Sequence, residues 1–171
     1  CRFEYYLLTK DENSLMEMKE LMRQWEHAYI EYALDFAGAG LYEEAILFLQ
    51  SYVAGAGKVY PMIHYALGYF YACQGDNNKA LDCYRKAEQA DHSYCFPNRI
   101  EEVVILQNAL ALNSQGAKAA YSLGNFWYAA RQYENAISCW ETSVAIAPDF
   151  PTVWRNLSLA YYNKQNDKAK A

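Results

Sequence analysis

The feature that most constrains this chain is a recurrence. Leu123-Gly124 is followed by Trp127, Ala136, Trp140 and Pro148. Leu67-Gly68 is followed at the same offsets by Tyr71, Ala80 and Tyr84, with His92 where the proline would stand. Leu157 lies 34 residues after Leu123, with Trp154 three residues before it and Tyr161 four after it. A more worn copy runs through Tyr29, Tyr32-Ala33, Phe36, Gly40, Ala45 and Leu49. Self-similarity at such a period means one helix-turn-helix unit used repeatedly, because a lone unit cannot bury its apolar face and stacking supplies the missing cover.

Each offset has a physical reason. Glycine inside a helix costs about 1 kcal/mol relative to alanine, so Gly68 and Gly124 need a compensating gain. Close approach of a second helix supplies it, with Tyr84 or Trp140 filling the space over the missing Cβ and Tyr71 or Trp127 one turn further on. Gly75-Asp76 reads as a helix stop followed by a cap, and Pro148-Asp149 as the close of a second helix. The expected fold is therefore all-α, an α-solenoid of antiparallel helical hairpins.

With these residues in place, the chain resembles the tetratricopeptide repeat family over residues 26 to 171, which implies a right-handed α-solenoid. The units read as a worn repeat at 26–59, a repeat at 61–94, a partial repeat at 95–116, a repeat at 117–150 and a truncated one at 151–171, after N-terminal helices in 1–25. The spacing slips twice. Between Leu67 and Leu123 lie 56 residues, which is not a multiple of the period. Ile100–Leu112 keeps second-helix spacing, with Leu106 and Ala109 at the aromatic and small positions, while the preceding stretch around Pro97 reads as a turn standing where a first helix belongs. Near the C-terminus, Ala171 falls one residue late, which a longer turn through Gln165-Asn166-Asp167 would absorb. Upstream, Ser14 reads as the cap of a helix over 15–23, whose Leu15, Met18, Leu21 and Met22 form a stripe expected to pack against the helix beginning near Glu26.

Composition narrows the function classes. Hydrophobic residues make up 53% and charged residues 20% of the 171, enough for a folded core. Fifteen basic against twenty acidic side chains leave a net charge of −5, which disfavours a nucleic acid partner. No apolar run is long enough for a membrane span and no signal peptide is legible, so the expectation is a cytoplasmic protein. The first residues, Cys1 to Leu8, read as the end of a helix and the last as one just begun, so the chain is expected to be part of something longer.

Searches for chemistry return little. Cys1, Cys73, Cys83, Cys95 and Cys139 contain no C-x-x-C pair and read as reduced thiols. Gly38-Ala39-Gly40 lacks the third glycine of a dinucleotide fingerprint, and Gly55-Ala56-Gly57-Lys58 lacks the first glycine and the Ser/Thr of a phosphate loop. Asn156-Leu157-Ser158 has the letters of a glycosylation sequon but falls inside a helix. His27, His64 and His92 have no metal-ligand spacing, and the pairs Glu43-Glu44 and Glu101-Glu102 stand at helix beginnings, where carboxylates meet the positive end of the dipole. No catalytic machinery, metal or cofactor is expected, and the chain reads as a non-enzyme.

In the tetratricopeptide family the first helices of successive repeats line a concave face, and the resemblance implies the same here. Projection of the register puts Met62, Tyr65, Tyr69, Ala72 and Cys73 on that face from one unit. Lys118, Tyr121, Asn125 and Tyr128 come from the next, and Thr152, Arg155, Leu159 and Tyr162 from the last. Tyrosine gives large, stiff contact area with a polar tip, so capture of a peptide or protein is the natural use. Tyr65, Tyr69, Tyr121, Asn125, Tyr128, Arg155 and Tyr162 are the candidate partner-binding residues. Asn125 and Asn156 match the asparagines of the family's carboxylate clamp, but Tyr121 stands where its first lysine belongs. A second resemblance rests on LDFAGAGLYEEAI, CFPNRIEEVVILQNALALN and FPTVWRNLSLAYYNK. These look like the C-terminal repeat region of large bacterial proteins with a mutarotase-like β-sandwich upstream, which implies a docking role beside a carbohydrate-active domain. Self-association through open solenoid ends is a third expectation.

Overall fold

The computed structural model describes residues 2–171, and Cys1, one of the five thiols, lies outside the described residues. Among them the chain is an all-α solenoid of helical hairpins with ten helices and no strand. They are α1 (Arg2–Thr9), α2 (Glu12–Met22), α3 (Glu26–Gly38), α4 (Tyr42–Val53), α5 (Pro61–Cys73), α6 (Asn77–Gln89), α7 (Ile100–Leu112), α8 (Ala117–Ala129), α9 (Tyr133–Ile146) and α10 (Pro151–Ala160). The hairpins are α3–α4, α5–α6 and α8–α9, each pair in extensive contact.

The glycine argument can be read directly in the packing. A Cβ built on Gly68 would run into the Tyr84 ring, and one on Gly124 would lie 2.5 Å from Trp140 Cδ1, so each glycine is the seat of the partner helix's aromatic. Both aromatics are buried. In the α3–α4 hairpin Ala33 and Leu49, both fully buried, occupy the two positions. The smaller leucine leaves room for the alanine methyl, and the two substitutions compensate each other.

Helix ends follow local chemistry. Gly40 and Gly75 adopt φ of 80° and 82° just past α3 and α5, where a left-handed residue ends the helix. Asp76 then accepts from the Lys79 N–H at 3.1 Å and caps α6. Arg131, at the corresponding turn after α8, holds φ of 61° without glycine's freedom. At α2 the expected cap is corrected. Asp11, not Ser14, accepts from the N–H groups of Asn13 and Ser14 at 3.3 and 3.2 Å, and Ser14 lies buried in the first turn with its hydroxyl donating to Asp11. The acidic side chain reaches two backbone donors from one place, so the helix begins three residues earlier than Ser14 would set it. The apolar stripe of α2 also differs from expectation. Met18 is buried, but α2 packs on α1 rather than on α3, and Leu21 is 75% exposed. At the C-terminal end, the extra residue is taken up by a wide π-type turn over Tyr161–Gln165 instead of a longer connection. Asn166 closes that turn at φ 53°, and the Asp167 N–H reaches back to the Tyr161 carbonyl at 3.0 Å.

The departure from regular stacking lies between α6 and α7. Residues 90–99 form no helix. His92, Cys95 and Pro97 turn inward while Tyr94 and Phe96 face out. The Phe96 N–H donates to Tyr60 Oη at 3.3 Å, the His92 ring stands on Tyr65, and Arg99 pairs with Glu31 of α3 at 3.2 Å. The segment thus lies across the first helices α3 and α5. Glu102, itself buried, accepts from the N–H groups of Asn98 and Arg99 at 2.7 and 3.0 Å and so caps its own helix. Although its sequence has second-helix spacing, α7 packs chiefly on α5 and α8, because no first helix precedes it for pairing.

One carboxylate ties the two sides of this interruption together. Glu88 of α6 accepts from the N–H groups of Lys118 and Ala119, both at 2.9 Å, and from Tyr65 Oη at 2.7 Å. Gly116 precedes α8 and has no side chain to cap it, so the cap comes from another helix. The Lys118 ammonium donates to the Ala90 carbonyl at 2.7 Å, fixing the start of the irregular segment.

Two outcomes follow from this packing. Gly124→Ala should lower stability by about 1–3 kcal/mol despite alanine's better helix propensity, a fall of several degrees in Tm. In a Trp140→Leu background the same change should be neutral or stabilising, as with Ala33 and Leu49. Urea melts of the four proteins of this cycle measure the coupling, and purely additive effects would refute the seat argument.

The second concerns His92. Its Nδ1–H donates to the Ala90 carbonyl at 3.1 Å, while Nε2 is buried without a partner. Burial, aided by the Lys118 charge and opposed by the Ala90 bond and Asp91, lowers its pKa to about 4 from the ordinary 6.5. Between those values the unfolded chain binds a proton that the folded chain refuses, so stability is intact above pH 6.5 and declines as pH falls toward 4, by at most about 3 kcal/mol. His64, also lowered by burial, adds in the same direction. Urea midpoints at pH 7.5 and 4.5 should differ markedly less in His92→Gln; an unchanged difference would contradict the assignment.

Candidate functional site

The irregular segment decides which projected residues remain on an open surface. Tyr65 is 0% exposed, with its hydroxyl on Glu88 and its ring beneath His92. Burial and the Glu88 charge hold that hydroxyl protonated, well above the ordinary tyrosine range. As a contact for a partner Tyr65 is corrected to a core residue, and Met62 beside it is buried too. Both stand on the first-helix face that their spacing predicts, but the chain itself covers that face.

Tyr69 lies elsewhere. It lines a cleft of about 330 Å³ with Leu34, Tyr42, Glu101 and Val104, between α3, α5 and α7. Tyr162 is exposed in the turn after α10.

The remaining four come together. Tyr121, Asn125 and Tyr128 from α8 and Arg155 from α10 line one cleft of about 450 Å³, with Trp140 of α9 behind them. The two helices are held there by α9, against which both pack. Spacing of three or four residues along α8 puts its three side chains on one face. Tyr121 shows only its edge at 8% exposure and packs on Phe150 at 4.9 Å between ring centroids. Tyr128 rests on Trp140 at 5.4 Å. Trp140 Nε1–H is shared between the Tyr121 carbonyl at 3.3 Å and Asn125 Oδ1 at 3.2 Å. Asn156 Nδ2–H also donates to Asn125 Oδ1, at 3.4 Å. The Asn125 oxygen is thereby committed, and its amide N–H groups are what it has to offer a ligand.

Electrostatically the cleft is one-sided. Its lining contains no Asp or Glu, and Arg155 is its one charged residue. Arg155 is exposed and has no carboxylate partner among the described residues. Nearby, Lys164 lies 4.5 Å from the Tyr133 ring centroid and 6.0 Å from that of Tyr128, a cation held against aromatic faces.

Besides Ala129 at the end of α8, three lining residues were not singled out from the sequence as partner-binding. Ser93 and Phe96 come from the irregular segment and form the opposite wall, and Trp140 was assigned only to packing. Phe96 is 58% exposed although its neighbours Cys95 and Pro97 are buried. The signal was the missing first helix around Pro97, since a chain that must cross open first helices without forming one turns alternate side chains outward.

Cys73, Cys83, Cys95 and Cys139 are free thiols. Burial pushes the Cys95 thiol up to about 12 and Cys139 up to about 11, so both are unreactive. Among the described residues no three His, Cys, Asp or Glu side chains group as metal ligands, and no helix is long and apolar enough to cross a membrane. Asn156 is half-buried within α10 and bonded to Asn125.

Comparison with known proteins returns distant likenesses. No family model matches the chain. Among solved structures, MamA is similar at 19% identity over 98% of this chain and 86% of its own, with a TM-score of 0.42. MamA 41-end from Desulfovibrio magneticus RS-1 is similar at 18% identity over 85% of this chain and 88% of its own, with a TM-score of 0.38. YrrB, described as a TPR protein with an unusual peptide-binding site, is 17% identical over 91% of this chain and 86% of its own, with a TM-score of 0.39. The fold assignment rests on the chain's own helical hairpins.

Proposed function

We propose that this protein is a non-catalytic interaction scaffold that receives a peptide or protein segment in the cleft between α8 and α10. The observation that carries the reading is the convergence of Tyr121, Asn125, Tyr128 and Arg155 on one 450 Å³ cleft whose lining has no acid. Tyr128 and Phe96 offer apolar faces, while the Asn125 amide and the Arg155 guanidinium offer donors. The complementary segment is extended, with an apolar or aromatic side chain for the rings and a carbonyl or carboxylate for the donors. Such pockets fix orientation through a few polar groups and draw affinity from a buried apolar anchor.

The irregular segment shortens the groove. With Tyr65 covered, an incoming peptide meets α8, α10 and the Phe96 wall instead of running on across α5. The partner sequence recognised is correspondingly short.

A random peptide library selected against the wild-type protein should yield binders that compete with one another for this cleft. Arg155→Glu should weaken them by about tenfold or more, equivalent to about 1.4 kcal/mol, with helicity and Tm unchanged. Phe96→Ala should weaken the same peptides, whereas Tyr69→Ala should not. Selected peptides that bind all these variants equally would place the interaction elsewhere.

A further inference from the structure

The α1–α3 end of the molecule carries a second concavity of different character. Because α2 rests on α1 and scarcely touches α3, a trough of about 530 Å³ is left between them. Its floor is aromatic: Phe3 of α1 sits edge-on between Phe36 and Phe48, at 5.7 and 4.8 Å between centroids. Its lips are Leu21 at 75% exposure, Tyr32 at 50% and Leu41 at 44%. Apolar side chains grouped this way around a hollow, and not scattered singly, mark an interaction surface.

Charge identifies the kind of occupant. Residues 1–59 hold five basic and ten acidic side chains and the remainder ten of each, so the whole net charge of −5 sits in the part of the chain that builds the trough. Within the lining, Arg2 is neutralised by Glu17 at 2.9 Å, and Asp35 contributes a carboxylate. A trough between two helices accepts the side-chain ridge of a third. We propose that this trough docks a basic amphipathic helix of a partner protein, its apolar stripe between Leu21 and Tyr32 and its Lys/Arg flanks over the acidic surroundings. The site is separate from the α8–α10 cleft, whose only charge is the cation Arg155.

The test uses two labelled probes of about five helical turns, one a Leu/Lys amphipathic peptide and the other its Leu/Glu counterpart, titrated onto the full chain by fluorescence anisotropy. The Leu/Lys peptide should bind, and the Leu/Glu peptide should bind at least about tenfold more weakly. The double variant Leu21→Gln/Tyr32→Gln, at two exposed positions that do not threaten folding, should reduce Leu/Lys binding by about tenfold, and Asp35→Lys should reduce it severalfold. Arg155→Glu should leave it intact. Equal binding of both peptides would overturn the proposal in favour of apolar adhesion, and undiminished binding to the double variant would place the site elsewhere. Self-association in sedimentation that disappears in the double variant would assign the trough to a second copy of this chain and overturn it equally.

Discussion

The structure depends on one kind of contact, an aromatic ring of a second helix seated where a first-helix residue has no side chain. Gly68 under Tyr84 and Gly124 under Trp140 bring two helix axes closer than an ordinary side chain would allow. That approach sets the distance between hairpin arms, and stacking repeats it. The buried rings then reach further. Tyr84 Oη donates to Asn108 of α7 at 2.6 Å and Trp140 Nε1–H to Asn125 of α8, so the ring that fills the gap also orients a polar side chain beyond it. In the second case that side chain belongs to the candidate cleft. The packing device of the repeat and the polarity of the site are therefore one arrangement.

Interruption of the stack gives the molecule its individuality. Without a first helix before α7, residues 90–99 must satisfy their backbone by other means, and they do so with Tyr60, Glu102 and short local turns. The segment covers Tyr65, removes part of the concave face and contributes Phe96 to what remains open. Glu88 holds the two sides in register by capping a helix that its own Gly116 cannot cap. A single carboxylate serving three donors keeps a break in periodicity from becoming a hinge.

The ends of the chain show local chemistry overriding pattern. Asp11 captures two backbone donors and starts α2 early, and a π-type turn accommodates the odd residue after α10. At the α1–α3 end the stripe on α2 is satisfied by α1, which leaves Leu21 outward and an aromatic-floored trough between α2 and α3. The two concave regions differ in charge as well as in construction. One is polar-lined and carries a cation, and the other is aromatic-floored within the acidic part of the chain.

By itself the sequence determined the helical hairpins, because a 34-residue spacing of Leu-Gly, aromatic and alanine reports contacts between helices adjacent in the chain, and such contacts are local. It also determined the break near Pro97 and, through helical periodicity, that Tyr121, Asn125 and Tyr128 share a face. It could not determine which of the projected tyrosines would stay exposed. That depended on where an irregular segment comes to rest, and its path is set by contacts distant along the chain: Phe96 with Tyr60, His92 with Tyr65, Arg99 with Glu31. Only the tertiary structure therefore buried Tyr65, sent Tyr69 to a different cleft and brought Phe96 opposite Arg155. A repeat pattern encodes the neighbour that comes next in sequence, whereas the surface left open is decided by every element that folds back over it.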